Sequence, residues 1–300
     1  MTMAERNVEL ARDGQRATVS LEGGRLASYN VSRQELLANH QDPAGPNAYC
    51  ASLLAPWPNR IADGRWEWEG EAYQLEVNDI AAKSALHGLV SKSPFVVETQ
   101  SSEHVLLSHR LAPTPGYPFR LEVRAFYHLD GAGLTCYLEA ENLDERPAPV
   151  GLGVHPYIAA PERVDEVVLT LPARTRPVLD KQWREIGRRS VGEAGCDFRG
   201  PRPLGNLTLD AAFTDLVRTV DDRVEVVFAL PGGPEVILWS GSTCCWLVVY
   251  TGDTLPPAER RRSIAVEPMT CGANAFVTGK DLDVLAPGAA LRLDWGLLTR

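Results

Sequence analysis

The chain has 300 residues, 44% of them hydrophobic and 23% charged, an ordinary balance for a globular protein with a large core. No run of 18 apolar residues occurs, which excludes a membrane-spanning helix. With 39 acidic against 30 basic residues and a formal net charge of -9, the surface lacks the basic footprint that nucleic acid requires, and the expected partner is a small or neutral molecule.

Met1 to Arg16 mixes Glu5, Arg6, Glu9, Arg12 and Asp13 among its residues, so no secretory signal is expected there. From Asn7 to Leu21 two alternating runs flank Asp13-Gly14, a hairpin turn signal, and Leu26 to Val31 reads as a third strand. Arg33 to Ala38 supports at most a helical turn, and His40 to Asn47 is a polar loop. In Leu53 to Gly64, Pro56 and Pro58 bracket Trp57 and forbid regular structure, so a stiff loop presents Asn59 and Arg60. Trp66, Trp68, Tyr73, Leu75 and Val77 alternate with polar residues around Glu69-Gly70, predicting a hairpin with one buried face.

Ala85 to Val90 sets His87 beside Gly88 in an apolar segment. Phe119 to Leu129, turned by Asp130-Gly131 into Leu134 to Glu141, is the clearest hairpin in the chain. Val150 to Tyr157 brings His155 to the end of an apolar run stopped by Pro156. Further strands are expected over Val164 to Leu171, Val224 to Leu230, Val236 to Trp239, Cys245 to Thr251 and Leu291 to Leu297. Ile264, Ala265 and Val266 read as a buried strand ending at Glu267, because Pro268 cannot donate to a ladder. No helical period lasts three turns, so the fold class is all-β. Arg174 to Leu207 is rich in Pro and Gly but carries Trp183, Ile186, Phe198 and Leu204, which makes it an excursion over one large domain spanning residues 1–300 rather than a linker.

Five polar residues sit in apolar segments where an exposed group would gain nothing: Arg60, His87, His155, Asp210 and Glu267. A carboxylate with apolar neighbours is a stronger base than an exposed one, and a histidine carries protons near neutral pH. The simpler account of Glu267 is an ion pair with one of Arg260, Arg261 or Arg262. His40, His104, His109 and His128 are expected at the surface. The six cysteines form no C-x-x-C pair and read as reduced residues of a cytoplasmic protein. No metal-ligand spacing, nucleophile elbow or phosphate loop occurs, so no metal or cofactor is expected. Glu267 and Asp210 together could also serve a glycoside hydrolase.

Four ordered segments are similar to those of the aldose 1-epimerase, or galactose mutarotase, family. They are Pro58-Asn59-Arg60-Ile61 with Gly64, Trp66, Gly70, Tyr73, Leu75 and Asn78; Leu86-His87-Gly88; Gly153-Val154-His155-Pro156-Tyr157; and Val266 to Thr270 with Asn274-Ala275-Phe276. The resemblance implies a large antiparallel β-sandwich and interconversion of hexose anomers by ring opening and closure. It implies His155 as general acid and Glu267 as general base, with Arg60, His87, Asp210 and the neighbouring Asn59 holding the sugar. Asp215 lies close enough to Asp210 to compete for its role, and Leu89 stands where many members have a second glycine. Arg60 would help keep Glu267 ionised. A monosaccharide is the implied substrate, of a monomer or homodimer, with a sugar-binding module without chemistry, or an enzyme of a phosphorylated or sulfonated hexose, as the alternatives. Trp57, Trp66 and Trp239 could face a sugar, with core packing the more ordinary task of each.

Overall fold

The computed structural model describes residues 7–38, 49–160 and 162–300; the expected loop at His40 to Asn47, and with it His40, lies outside them. Two large sheets dominate, one of nine strands and one of eight, antiparallel at every pairing. The fold is therefore all-β, as the period-2 alternation predicts. Leu121–Leu129 and Gly133–Asn142 form the expected hairpin, with Ala290–Thr299 added beside it in the nine-stranded sheet. Its inward residues, among them Leu121, Val123, Leu138 and Leu293, share one apolar core with Phe213, Leu247, Val249 and Val266 of the eight-stranded sheet. Burying one face of each sheet against the other supplies the hydrophobic drive for the sandwich.

The opposite face of the eight-stranded sheet carries the chemistry. Along Trp246–Tyr250, Leu247 and Val249 point into the core, so Val248 and Tyr250 point outward. Glu267 is the register partner of Val248, and Asp210 that of Tyr250. Both carboxylates therefore rise from the outward face.

Several expectations need correction. Arg33 to Ala38 holds a short strand, Gln34–Glu35, paired with Leu26–Val31, because Glu35 accepts from the Tyr29 amide (3.0 Å) and pulls the chain back into the ladder. Val164 to Leu171 is not continuous strand: a 3-10 turn, Val164–Glu166, precedes Val168–Thr170. The Pro-flanked loop around Trp57 is bounded by the short strands Leu53–Leu54 and Arg60–Ala62.

Glu267 does not end a strand, since Ser263–Met269 runs on through Pro268. The proline loses only one rung. The Val266 amide donates to Pro156 O (3.3 Å) and that of Thr270 to Leu152 O (2.9 Å), which leaves Val154 as the partner that Pro268 cannot serve, while pairing with Trp246–Tyr250 continues on the other side. The excursion at Arg174 to Leu207 contains a hairpin, Ala173–Leu179 with Glu185–Ser190, that extends the edge of the eight-stranded sheet.

Candidate active site

Register alone brings His155 and Glu267 together. Gly153 pairs with Met269 and Tyr157 with Ala265, so His155 lies directly across from Glu267. Its ring Nε2 is 3.3 Å from Glu267 Oε1. The His155 backbone is anchored on the other side by its amide to Ser52 O (3.1 Å) and by its carbonyl to the Ala51 amide (2.9 Å). Tyr157, two residues on and therefore on the same face, stacks on the His155 ring at 5.0 Å. Gly153 makes the close approach possible: a Cβ there would stand 2.8 Å from Pro58 and 3.0 Å from Met269.

A second pair of segments closes the other wall. Arg60–Ala62 pairs with Ser84–Leu86, and the ladder continues to Asn59 and His87, whose amide donates to Asn59 O (2.9 Å). The Asn59 amide donates in turn to His87 Nδ1 (3.2 Å). Because Nδ1 accepts, the proton of the neutral ring is on Nε2. Burial, His155 and Arg60 together hold the His87 pKa well below its ordinary value, so this ring stays neutral. Gly88 follows at φ +73, and a Cβ on it would stand 2.2 Å from Ala55 O, the acceptor of the Leu89 amide. Glycine is required there.

Arg60 is fixed from three sides. Its Nε donates to Asp79 Oδ2 (2.8 Å), its guanidinium lies 4.0 Å over the Trp183 ring, and its carbonyl accepts from the Asn274 amide (2.7 Å). The Asn274 side chain accepts from Ala62 N (2.7 Å) and donates to Trp183 O (2.8 Å). The segment that carries Glu267 thus also grips the strand that carries Arg60.

These walls enclose a cavity of about 830 Å3 lined by Asn59, Arg60, His87, His155, Asp210 and Glu267. All six predicted residues meet there. Asp215 does not: it is exposed and faces Arg188 at 3.9 Å. Trp57 lines the cavity, whereas Trp66 is buried in the core with its indole N–H on Gly116 O (2.9 Å) and Trp239 packs under Arg223. The Arg261 alternative for Glu267 fails, because that guanidinium is committed to Asp165 (2.6 Å) and Asp253 (2.8 Å). His104, His109 and His128 stay on the nine-stranded sheet, half-buried and outside the cavity. Five of the cysteines are buried and Cys245 is exposed, and none is in a disulfide among the described residues. Sequence reasoning missed Asp79, Tyr49, Tyr250 and Trp183, as well as Tyr157 as a wall residue; the i, i+2 spacing of His155 and Tyr157 was a signal for the last.

Electrostatics set His155 and Glu267 apart. Glu267 is 3% exposed and His155 6%. Burial pushes the Glu267 carboxyl well above its ordinary range, Asp210 adds to this, and Arg60 opposes it without prevailing. Arg60 thus offsets only part of the effect of burial on Glu267, short of the role expected for it. Burial lowers His155 to about 4. Glu267 Oε2 has no hydrogen-bond partner among the described residues, while Oε1 has His155 Nε2 beside it at 3.3 Å. Asp210, more exposed at the rim, is also raised, by surrounding protein first, with Arg60 opposing and Asp79 assisting.

Ligand atoms of His87, His155 and Glu267 lie within 4.8 Å of one another, a set that could hold a divalent ion. The His87 tautomer argues against it. An Nε2 that carries the proton has no lone pair for a metal, and its Nδ1 is already occupied by the Asn59 amide.

The sequence profile described as aldose 1-epimerase matches residues 6–295. The chain is 32% identical over 296 residues to the uncharacterized Escherichia coli protein YihR, covering 98% of this chain and 93% of that one. Human galactose mutarotase is 30% identical over 166 residues, 52% of this chain and 47% of its own. Among solved structures, an aldose epimerase homologue from C. elegans matches with a TM-score of 0.85 at 20% identity, covering 98% of both chains. A galactose mutarotase-like protein from Clostridium acetobutylicum matches at 0.83 and 15% identity, covering 98% of this chain and 95% of that one.

Proposed function

The chain belongs to the aldose 1-epimerase family, and from that premise we propose that it interconverts the α and β anomers of a hexose. The observation that carries the reading is the buried Glu267–His155 pair, 3.3 Å apart on the cavity wall. Anomer exchange needs a proton taken from the C1 hydroxyl and one given to the ring oxygen, two atoms bonded to the same carbon. A base and an acid this close can serve both.

Above about pH 4, where His155 loses its own proton, and below the raised value of Glu267, the pair holds one proton between them. Desolvation favours the neutral arrangement, with the proton on Glu267. The ring opens from the other arrangement, with Glu267 charged and His155 protonated. Glu267 removes the C1 hydroxyl proton, His155 Nε2 donates to the ring oxygen, and the C1–ring-oxygen bond breaks to leave an aldehyde. Rotation about the C1–C2 bond and reversal of both transfers give the other anomer. Arg60, whose charge favours ionised Glu267, assists the charged arrangement.

His87 offers a neutral Nε2–H to a sugar oxygen, and Arg60, Asp210 and Asn59 complete the hold on the hydroxyls. The reaction requires no redox cofactor and no metal. Polarimetry or anomer-resolved NMR exchange on a panel of neutral, phosphorylated and sulfonated hexoses tests the proposal. Faster equilibration of a neutral hexose is expected; hydrolysis of an aryl glycoside, or sugar binding without faster exchange, would overturn it.

A further inference from the structure

Tyr49 lines the cavity with its ring against that of His87, the centroids 4.7 Å apart. Two tethers hold it there. Its carbonyl accepts from the Ser52 amide (3.0 Å), in a turn whose Ala51 amide donates to His155 O (2.9 Å). Its hydroxyl is met from the other side by Asn78 Nδ2 (2.9 Å). Tyr49 is thus fixed between the segment that carries His155 and the strand that leads to His87, although neither catalytic partner touches it through a hydrogen bond among the described residues.

Hydrogen-bond accounting decides what the Tyr49 hydroxyl can do. The Asn78 amide has one orientation only: Oδ1 accepts from the Leu86 amide (2.7 Å) while Nδ2 donates to the Leu86 carbonyl (3.0 Å), and turning the group over would set donor on donor and acceptor on acceptor. Nδ2 is therefore the donor to Tyr49, and the phenol oxygen accepts. A phenol has one proton of its own to give, and no acceptor takes it among the described residues. Burial first, then Asp79, raises the Tyr49 pKa, with Arg60 opposing, so the proton stays on the oxygen. Asp79 does not receive it, because the oxygens of that carboxylate accept instead from Arg60 Nε (2.8 Å) and the Ala82 amide (3.1 Å). A half-buried donor on the cavity wall is left for whatever enters.

The order of groups along the wall says which atom of a sugar it meets. Glu267 Oε1 stands 3.3 Å from His155 Nε2, the His155 ring 5.2 Å from the His87 ring, and the His87 ring 4.7 Å from that of Tyr49. The inference rests on the anomer-exchange reading, in which Glu267 takes the C1 hydroxyl and His155 the ring oxygen. Past the ring oxygen a hexopyranose continues to C5 and its substituent C6, and past His155 the wall continues to His87 and Tyr49. We propose that the Tyr49 hydroxyl donates to an oxygen borne on C6, which makes it the residue that separates C6-oxygenated hexoses from their 6-deoxy counterparts. A C6 hydroxyl and a phosphate on that carbon offer the same acceptor chemistry.

The test is anomer-resolved NMR exchange with galactose, 6-deoxygalactose, glucose, 6-deoxyglucose, 2-deoxyglucose and glucose 6-phosphate, for the unchanged protein and for Tyr49→Phe. The substitution removes one oxygen and leaves Asn78 Nδ2 bonded to the Leu86 carbonyl, so folding should survive. In the unchanged protein each 6-deoxy sugar should have a KM roughly three- to tenfold above that of its parent, the worth of one neutral hydrogen bond. Tyr49→Phe should raise KM for galactose and glucose by that factor and close the gap to the 6-deoxy sugars, while the gap between glucose and 2-deoxyglucose persists. Should glucose 6-phosphate be the better substrate and lose its advantage in Tyr49→Phe, the acceptor is a C6 anion; if the neutral hexoses lead, it is the C6 hydroxyl. The inference fails if the unchanged protein treats parent and 6-deoxy sugars alike, if Tyr49→Phe weakens all sugars equally, as a purely structural role would, or if it erases the 2-deoxyglucose difference instead. Calorimetric binding of the same sugars separates the two readings. Should no sugar be exchanged, the activity reading falls, while tighter binding of galactose than of 6-deoxygalactose, lost in Tyr49→Phe, would still establish the contact, and its absence would refute it.

Discussion

Glu267→Gln is the most incisive perturbation, because it removes one proton acceptor and almost nothing else. The side chain keeps its size in a position that is 3% exposed, so packing against Val248 and His155 is retained. Asp210 is poorly placed to take over, since its backbone lies two strands and two residues of register away, roughly 12 Å by strand geometry. Loss of one positioned base costs roughly 10² to 10⁴ in rate, about 3–5 kcal/mol of transition-state stabilisation. The loss should fall on kcat, with KM within about threefold, because the hydroxyl contact survives in part while proton removal does not. The assay is saturation kinetics of α-to-β exchange, corrected for the spontaneous reaction. Thermal melting supplies the control. Glu267 has a folded pKa above its unfolded value, so its contribution to stability is complete below the ordinary 4.5 and is lost as pH rises through the folded value. Glutamine suffers no such loss, so the variant should melt at least as high as the unchanged protein, with the gap widening above pH 4.5. Near-normal kcat in a well-folded Glu267→Gln protein would refute the assignment of the base.

For the unchanged protein, kcat/KM should follow a bell whose acid limb lies near pH 4 rather than 6.5, because His155 is lowered to about 4 and the pair gains a second proton below that value; an acid limb at an ordinary histidine value would contradict the neutral pair. His155→Asn should reduce kcat by a similar 10² to 10⁴ and spare affinity, read in the same exchange assay. Arg60→Ala loses the Asp79 ion pair and the Trp183 stack, so KM should rise roughly tenfold and kcat should fall as well, an outcome that unchanged KM would refute. Dialysis against a chelator should leave exchange intact, given the His87 tautomer; loss restored by a divalent ion would show that His87 ligates after all.

The parts of this protein legible in its sequence were those whose cause is local. Alternation along Leu121–Leu129 fixes which side chains enter the core, and Asp130-Gly131 fixes the turn, so the hairpin needs no distant partner to be read. The cavity residues Arg60, His87, His155 and Glu267 stood out because each is polar in an apolar segment, and the structure gathers them on one cavity. What stayed hidden depends on register between distant segments. Asp79 reads as one more loop acid until Arg60 meets it, and Trp183 reads as an aromatic packed over the domain with no sign of which residue it meets until Asn274, 91 residues away, binds its carbonyl. The misplacement of Glu267 has a quantitative lesson. Pro268 reads as a strand end, yet its cost is one hydrogen bond, about 1 kcal/mol net, against an apolar run from Ile264 to Val266 that is fully buried. Burial of that size outweighs a single rung, so the strand continues and Glu267 is held inside a ladder. There its neighbours are fixed on both sides, and the missing donor falls opposite Val154, one residue from His155. The one missing rung therefore lies beside the His155–Glu267 pair rather than within it, and the Val266 and Thr270 amides keep the ladder closed on either side.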